Sequence, residues 1–128
     1  MQDCVFCKMV QGEIKPQVIL ENDSFFTFLD QSPIQPGHTL VIPKKHTDYL
    51  FDIEDKEYAD LMLEAKKVAK LLKEKMGTKR IGILVEGFGV AHAHVHLVPI
   101  NNGGQVSLAN AKHASMEELK EVAEKIRN

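Results

Sequence analysis

The sequence predicts an α+β fold with an antiparallel sheet, on three observations. Short apolar or alternating segments, typical of strands, follow one another through brief turns. One long stretch instead repeats its apolar residues every three or four positions, as an amphipathic helix does. The strands are joined by short links and the helices are set apart from them, which favours an antiparallel sheet. The chain has 128 residues, an ordinary length for one domain, and we expect residues 1–128 to form a single one.

Five segments predict the strands of this sheet. They are residues 18–20, 24–29, 38–43, 79–86 and 90–100. The first two flank a tight turn at residues 21–23 and should form a hairpin. Alternation along the second strand puts Phe26, Phe28 and Asp30 on one face of the sheet.

Two further segments predict helices. Residues 58–76 carry one apolar stripe along about six helical turns. Asp52 or Asp55 could cap the start of this helix, and Gly77 suits the left-handed position after its end. A capping-box pattern then opens a C-terminal helix over about residues 115–127.

The composition disfavours several classes of protein. The 16 basic and 18 acidic residues give a formal charge of −2, which disfavours a nucleic-acid-binding module that acts through a basic field. No segment approaches the roughly 18 apolar residues of a membrane span. The N-terminus shows no basic region followed by an apolar run, so no signal peptide is expected. We therefore expect a cytoplasmic protein that binds neither nucleic acid nor membrane.

Three histidines alternate with apolar residues in the segment His92-Ala93-His94-Val95-His96. In a strand, alternate residues share a face, so the three imidazoles would line one face while their neighbours enter the core. Three adjacent imidazoles repel one another if all are charged, so some should stay neutral and serve as ligand or nucleophile. The alternative is a solvent-exposed face that merely carries histidines.

The only two cysteines, Cys4 and Cys7, have the spacing Cys-x-x-Cys. A disulfide that closes so short a loop stabilises little, so a metal or redox role is favoured in a reducing compartment. A redox motif is expected at a helix start after a strand, and no strand precedes it here. Zinc prefers four nitrogen or sulfur ligands. We therefore favour a zinc site completed by two histidines, with free thiols as the alternative.

Four segments together resemble the histidine triad (HIT) superfamily. Residues 92–98 (HAHVHLV) match its His-φ-His-φ-His-φ-φ pattern, where φ is apolar. The other matching segments, in their usual order, are residues 6–14 (FCKMVQGEI), 26–33 (FTFLDQSP) and 36–46 (PGHTLVIPKKH). The resemblance covers residues 4–100. It implies a five-stranded antiparallel sheet, usually continuous across a homodimer. It also implies hydrolysis or transfer of nucleoside monophosphates from adenosine phosphoramidates, adenylates or dinucleoside polyphosphates.

The resemblance also implies roles for individual residues. A neutral imidazole is a competent nucleophile at phosphorus near pH 7, and His94, the central histidine, would attack the α-phosphorus. His96 would donate to a non-bridging phosphate oxygen, and Asp30 would accept from the ribose hydroxyls. The residues implied to line the base pocket are Val5, Phe6, Met9, Phe28, Leu29 and Gln31. The alternatives are core packing for the two phenylalanines and turn capping for Asp30.

A zinc site of the kind found in many HIT proteins is implied as well. Its ligands would be Cys4, Cys7, His46 and His92. Since the protein fills all four positions, the metal would be structural and would not activate water. The remaining histidines, His38 and His113, are expected to be bystanders at a strand edge and on the surface.

The sequence departs from the family just before the triad. Many members carry an asparagine and a Gly-Gln-Ser or Gly-Gln-Thr segment there, whereas residues 84–91 read LVEGFGVA. The backbone N–H groups of Gly87 and Gly89 could replace the missing phosphate donors, but Glu86 brings a negative charge near an anionic substrate. Lys44 and Lys45 could hold a polyphosphate or simply be solvated. A catalytically weak nucleotide-binding or interaction protein is therefore the second interpretation.

Overall fold

The computed structural model describes residues 3–128 and contains the five predicted strands in one antiparallel sheet. The strands are β1 (Val18–Glu21), β2 (Phe25–Leu29), β3 (Thr39–Pro43), β4 (Arg80–Leu84) and β5 (Val95–Ile100). Their order in the sheet is β1-β2-β3-β5-β4, and every neighbouring pair is antiparallel. The predicted fold class is therefore confirmed.

Three α-helices accompany the sheet. They are α1 (Val5–Val10), α2 (Asp55–Met76) and α3 (Met116–Arg127). The six-residue α1 is too short for its apolar period to be recognised in the sequence. Gly77 ends α2 with a φ of +70°, as predicted. The predicted start cap is wrong, because Glu54 precedes the helix without a side-chain cap and Asp55 is already helical. The Ser115 hydroxyl does cap α3, by accepting from the Glu118 N–H at 3.1 Å.

The helices divide between the two faces of the sheet. On one face, α2 and α3 cover the larger core, whose fully buried members include Val41, Leu61 and Ile126. On the other face, α1 packs its Phe6 against a smaller cluster that contains Phe26 and Phe28. The predicted alternation along β2 is therefore confirmed, and α1 lies on the same face as the three histidines.

Two strand boundaries differ from the prediction. β4 ends at Leu84 rather than residue 86, and β5 begins at Val95 rather than residue 90. The reason is that the Ala93 N–H donates to the Thr47 carbonyl at 2.6 Å, in a loop outside the sheet. Of the three histidines only His96 lies in a strand. The alternation nevertheless persists, since the intervening residues enter the larger core.

Three short 3-10 turns complete the described secondary structure. They cover Leu50–Asp52, Gly103–Gln105 and Leu108–Asn110. Within residues 3–128, none of the helices combines the length and the apolar character needed to cross a membrane.

Candidate active site and metal centre

The three alternating histidines are buried beneath α1. His92, His94 and His96 expose 0%, 5% and 6% of their surface. The ring centroids of His94 and His96 are 5.0 Å apart. Phe6 of α1 contacts His92 and His94 edge-on, with its ring centroid 5.8 Å from that of His92 and 5.2 Å from that of His94. The alternative of a solvent-exposed histidine face is therefore excluded.

A backbone carbonyl fixes the orientation of the His94 ring. His94 Nδ1 lies 2.7 Å from the carbonyl oxygen of His92. Because a carbonyl only accepts hydrogen bonds, Nδ1 must carry the proton. The lone pair of a neutral His94 therefore resides on Nε2, the atom at the far side of the ring. This arrangement suits an imidazole that acts as a nucleophile.

A chain of hydrogen bonds fixes the tautomer of His96. The Ile34 N–H donates to His38 Nδ1 at 3.0 Å, so His38 carries its proton on Nε2. This proton is then donated to His96 Nδ1, which lies 2.9 Å away. The proton of a neutral His96 must consequently be on Nε2, a buried atom with no partner among the described residues. His96 thus holds a buried N–H group ready for an acceptor.

The expectation that His38 is a bystander is wrong. Its side chain is 1% exposed and forms the middle of this hydrogen-bonded chain. The signal in the sequence was its register: His38 lies two residues before Leu40 and four before Ile42, both of which belong to the cluster beneath α1. The other expected bystander, His113, is exposed in the segment before α3.

Burial keeps the His38 and His96 rings neutral. It lowers the pKa of His38 to about 4. Burial, together with the neighbouring His94 and His38, lowers the pKa of His96 to about 4. Asp30 Oδ2 lies 3.7 Å from His38 Nε2, but His38 is uncharged near neutral pH, so the two do not form an ion pair. Burial raises the pKa of the Asp30 carboxyl, and a hydrogen bond from the Ser32 N–H opposes this rise.

A cavity of about 190 Å³ gathers the residues expected to bind a nucleoside. Its lining includes all six expected base-pocket residues and Asp30, together with two unexpected ones, Pro16 and Val90. Phe6 and Phe28 form an edge-on pair with their centroids 5.4 Å apart. Asp30 Oδ1 also accepts from the Ser32 N–H at 2.8 Å. Asp30 therefore serves the turn, as the alternative held, and still lines the cavity.

The glycine loop before His92 is closed on itself. Glu86 accepts hydrogen bonds from the Phe88 N–H at 3.0 Å and the Gly89 N–H at 2.9 Å. The Gly89 N–H is therefore not free for a phosphate oxygen, contrary to the expectation from the sequence. Gly89 itself lines a different cavity with Cys4 and His46, and not the one lined by Phe6 and Phe28.

The four expected zinc ligands form one cluster. Cys4 Sγ lies 3.3 Å from His92 Nδ1, and Cys7 Sγ lies 3.3 Å from His46 Nδ1 and 3.5 Å from His92 Nδ1. The two Nδ1 atoms are 3.2 Å apart, and all four ligand atoms lie within 4.8 Å of one another. In a tetrahedral zinc site with Zn–S of about 2.3 Å and Zn–N of about 2.0–2.1 Å, ligand atoms are roughly 3.3–3.8 Å apart.

The protonation state of His92 also fits a metal ligand. Its Nε2 lies 2.8 Å from the carbonyl oxygen of Pro43, so Nε2 carries the proton and Nδ1 presents a lone pair to the cluster. Burial lowers the pKa of His92, which favours the neutral ring. The spacing and the donor set therefore both fit a tetrahedral metal ion.

Comparisons with known proteins find relatives of this chain in one family. The family model described as the HIT domain matches residues 11–103. An uncharacterised HIT-like protein of Methanocaldococcus jannaschii is 35% identical over 127 residues, covering 93% of this chain and 98% of its own length. The adenosine 5′-monophosphoramidase of Schizosaccharomyces pombe is 34% identical over 104 residues. The match covers 77% of this chain and 75% of the length of that protein.

Solved structures of similar proteins share the fold. A HIT-like protein from Bartonella henselae superposes with a TM-score of 0.86 at 30% identity, over 99% of this chain and 96% of that one. A zinc-bound histidine triad family protein from Mycobacterium smegmatis gives a TM-score of 0.84 at 30% identity, over 98% and 91% of the two chains.

Proposed function

The chain belongs to the HIT family, and on this premise we propose that it hydrolyses or transfers nucleoside 5′-monophosphate groups through a covalent nucleotidyl–His94 intermediate. One observation carries the proposal: the hydrogen bond from His94 Nδ1 to the His92 carbonyl leaves the lone pair on Nε2. This ring lies beside Phe6, which lines the cavity that contains Asp30. The proposed nucleophile is thus next to a residue that lines this cavity.

In the first step, His94 Nε2 attacks the α-phosphorus of an adenosine 5′-phosphoramidate. A phosphorus–Nε2 bond forms and the bond from phosphorus to the amine nitrogen breaks. The amine takes its bonding electrons and one proton from solvent. The Nδ1 proton stays on His94, where the His92 carbonyl stabilises the positive charge that develops on the ring. The unpartnered Nε2–H of His96 donates to a non-bridging phosphate oxygen.

In the second step, water attacks the same phosphorus. The phosphorus–Nε2 bond breaks, its electrons return to His94, and water releases one proton to solvent. The sum of both steps is phosphoramidate plus water giving amine plus nucleoside monophosphate. Another acceptor in place of water would give transfer. The name of the Schizosaccharomyces pombe relative, adenosine 5′-monophosphoramidase, supports a phosphoramidate substrate.

Within this proposal, the cavity under α1 binds the nucleoside. Apolar side chains such as Phe6, Phe28 and Met9 would hold the base, and Asp30 Oδ2 would accept from the ribose 2′ and 3′ hydroxyls. Asp30 Oδ1 is already engaged with the Ser32 N–H, which fixes the carboxylate plane. A carboxylate held in this way favours ribonucleotides over deoxynucleotides, since each lost donor weakens binding.

Turnover of adenosine 5′-phosphoramidate tests the proposed activity. His94→Gln should abolish it, whereas His113→Gln, at an exposed histidine, should leave it unchanged. Both variants should keep the wild-type circular dichroism spectrum. Near-full activity of His94→Gln would exclude His94 as the nucleophile. Nucleotide binding by the wild-type protein without any turnover would favour the second interpretation, a catalytically weak nucleotide-binding protein.

A structural zinc ion is the second part of the proposal. Cys4, Cys7, His46 and His92 would hold it, and it would tie α1 and the loop after β3 to the start of the triad. The ligand spacing and the zinc-bound relative support this assignment. Metal analysis of freshly purified protein should find about one equivalent of zinc per chain. Less than about a tenth of an equivalent, together with two reactive thiols, would refute it.

A homodimer and a cytoplasmic location complete the proposal. β4 is an outer strand of the sheet, and Ile83 on it exposes 53% of its surface. Such an unpaired apolar edge is suited to pairing with a second copy. Light scattering in solution should give about twice the chain mass. Neither Cys4 nor Cys7 forms a disulfide, which suits a reducing compartment such as the cytoplasm.

A further inference from the structure

The loop between β4 and His92 binds the carboxylate of one of its own residues, Glu86. Glu86 receives hydrogen bonds from the N–H groups of Phe88 and Gly89, at 3.0 and 2.9 Å. Gly87, which lies between Glu86 and Phe88, has a φ of +84°, a conformation that glycine adopts readily. Successive N–H groups in a turn form a concave site that binds anionic oxygens. Here the chain's own carboxylate fills that site.

This carboxylate belongs to a loop that begins next to the reacting histidines. β4 pairs with β5 so that Leu84 is opposite His96, and the chain beyond Leu84 continues toward His94. Hydrogen bonds from Gly89 and Phe88 lower the pKa of the Glu86 carboxyl, and the adjacent His94 and His96 lower it further. Glu86 is therefore ionised at neutral pH, two residues along the chain from the residue opposite His96.

The loop that contains Glu86 borders both the reacting histidines and the nucleoside cavity. Leu84, just before the loop, is opposite His96. Val90, near its end, lines the cavity together with Phe6 and Asp30. A leaving group attached to an α-phosphorus at His94 would therefore depart close to this loop.

The segment that follows β4 carries no cation of its own to offset this charge. No lysine or arginine occurs in the sequence between Arg80 and Lys112. Lys44, a candidate for holding a polyphosphate, forms an ion pair with Glu21 of β1 at 2.7 Å, near the opposite edge of the sheet. A chain of further phosphates would therefore meet a negative charge, and Glu86 already occupies the N–H groups of Phe88 and Gly89.

We propose that Glu86 is a specificity-determining residue that disfavours leaving groups carrying further phosphates and favours neutral or cationic amine leaving groups. The inference rests on the proposed function, because it concerns the leaving-group side of the same site. It narrows the substrate class from nucleoside monophosphate derivatives in general to phosphoramidates. It also revises the expected role of Gly89, whose N–H positions Glu86 rather than a substrate phosphate.

Calorimetric binding of AMP and ATP in metal-free buffer tests this charge effect without requiring turnover. Glu86→Gln removes the charge but keeps one oxygen acceptor for the loop. It should tighten ATP binding relative to AMP binding about tenfold, and the gain should shrink at high salt. Glu86→Asp keeps the charge and should retain the wild-type ratio of the two dissociation constants. Glu121→Gln, on the exposed face of α3, is the surface control.

The outcomes separate this inference from the proposed function. The charge effect would be overturned if the ratio of the ATP and AMP dissociation constants in Glu86→Gln stayed within about twofold of the wild-type ratio. It would also be overturned if this ratio shifted equally in Glu86→Gln and Glu86→Asp. Failure of the wild type to bind AMP at all would overturn the proposed function, and the inference with it. In an active protein, Glu86→Gln should also raise kcat/KM for diadenosine tetraphosphate about tenfold relative to that for adenosine phosphoramidate.

Discussion

Acidification from pH 7 to pH 5 should destabilise the protein through the buried pair His38–His96. The folded state holds the pKa of His38 near 4 by burial, whereas an unfolded histidine has a pKa of about 6.5. Between these two values the unfolded chain binds more protons than the folded one. The free energy of unfolding therefore falls as the pH falls through this window, and it is fully restored above about pH 6.5.

The size of the effect follows from the distance between pH 5 and the unfolded pKa. That distance is about 1.5 units, and each unit is worth about 1.4 kcal/mol, so one such histidine costs about 2 kcal/mol at pH 5. His96 has a similarly lowered pKa. The two rings share a hydrogen bond at 2.9 Å, so their contributions are not independent, and we expect a total of about 2–4 kcal/mol.

Urea denaturation at pH 7 and pH 5 measures this loss, and variants isolate its source. Release of a bound metal at low pH would also destabilise the wild type, so the informative quantity is the difference between variants. His38→Gln should be less stable at pH 7 but lose about 2 kcal/mol less on acidification than the wild type does. His113→Gln should show the wild-type pH dependence. An equal loss in His38→Gln and the wild type would refute the assignment of the pH effect to this pair.

Three further substitutions test the site and the fold. Asp30→Asn keeps the Ser32 hydrogen bond but removes the charge. It should raise KM for a ribonucleotide substrate about 10–100-fold, and raise KM less for a 2′-deoxynucleotide, which keeps only the 3′ hydroxyl donor. Ile126→Ala empties a fully buried position of α3 and should cost about 2–4 kcal/mol in urea denaturation. Gly77→Ala meets open space but sits at a φ of +70°, so it should cost about 1 kcal/mol by the same measurement.

The fold was largely predictable because its elements have clear periods. The six-turn apolar stripe of α2 and the alternation along β2 both survive in the structure. The ends of β4 and β5 were not predictable, because they depend on a hydrogen bond from Ala93 to the distant Thr47 carbonyl. The residue that precedes a helix was also not predictable, since α2 begins after Glu54 and neither expected aspartate caps it.

The candidate site was predictable in composition but not in its internal connections. The base-pocket residues and zinc ligands that the resemblance to the HIT family implied do meet in space. The part played by His38 was missed because its partners, Ile34 and His96, become neighbours only after β3 and β5 pair. The pairing of Glu86 with its own loop was missed for a different reason, since a glycine loop can present its N–H groups inward or outward.

Detection of the covalent intermediate tests the central claim most directly. The protein is mixed with an adenosine 5′-phosphoramidate, quenched in alkali during turnover, and its intact mass and peptide masses are determined. A fraction of the chain should be heavier by one adenylyl group, with the modification on the peptide that contains His94, and His94→Gln should show none. Turnover without any such adduct, or an adduct on another residue of the wild type, would contradict it.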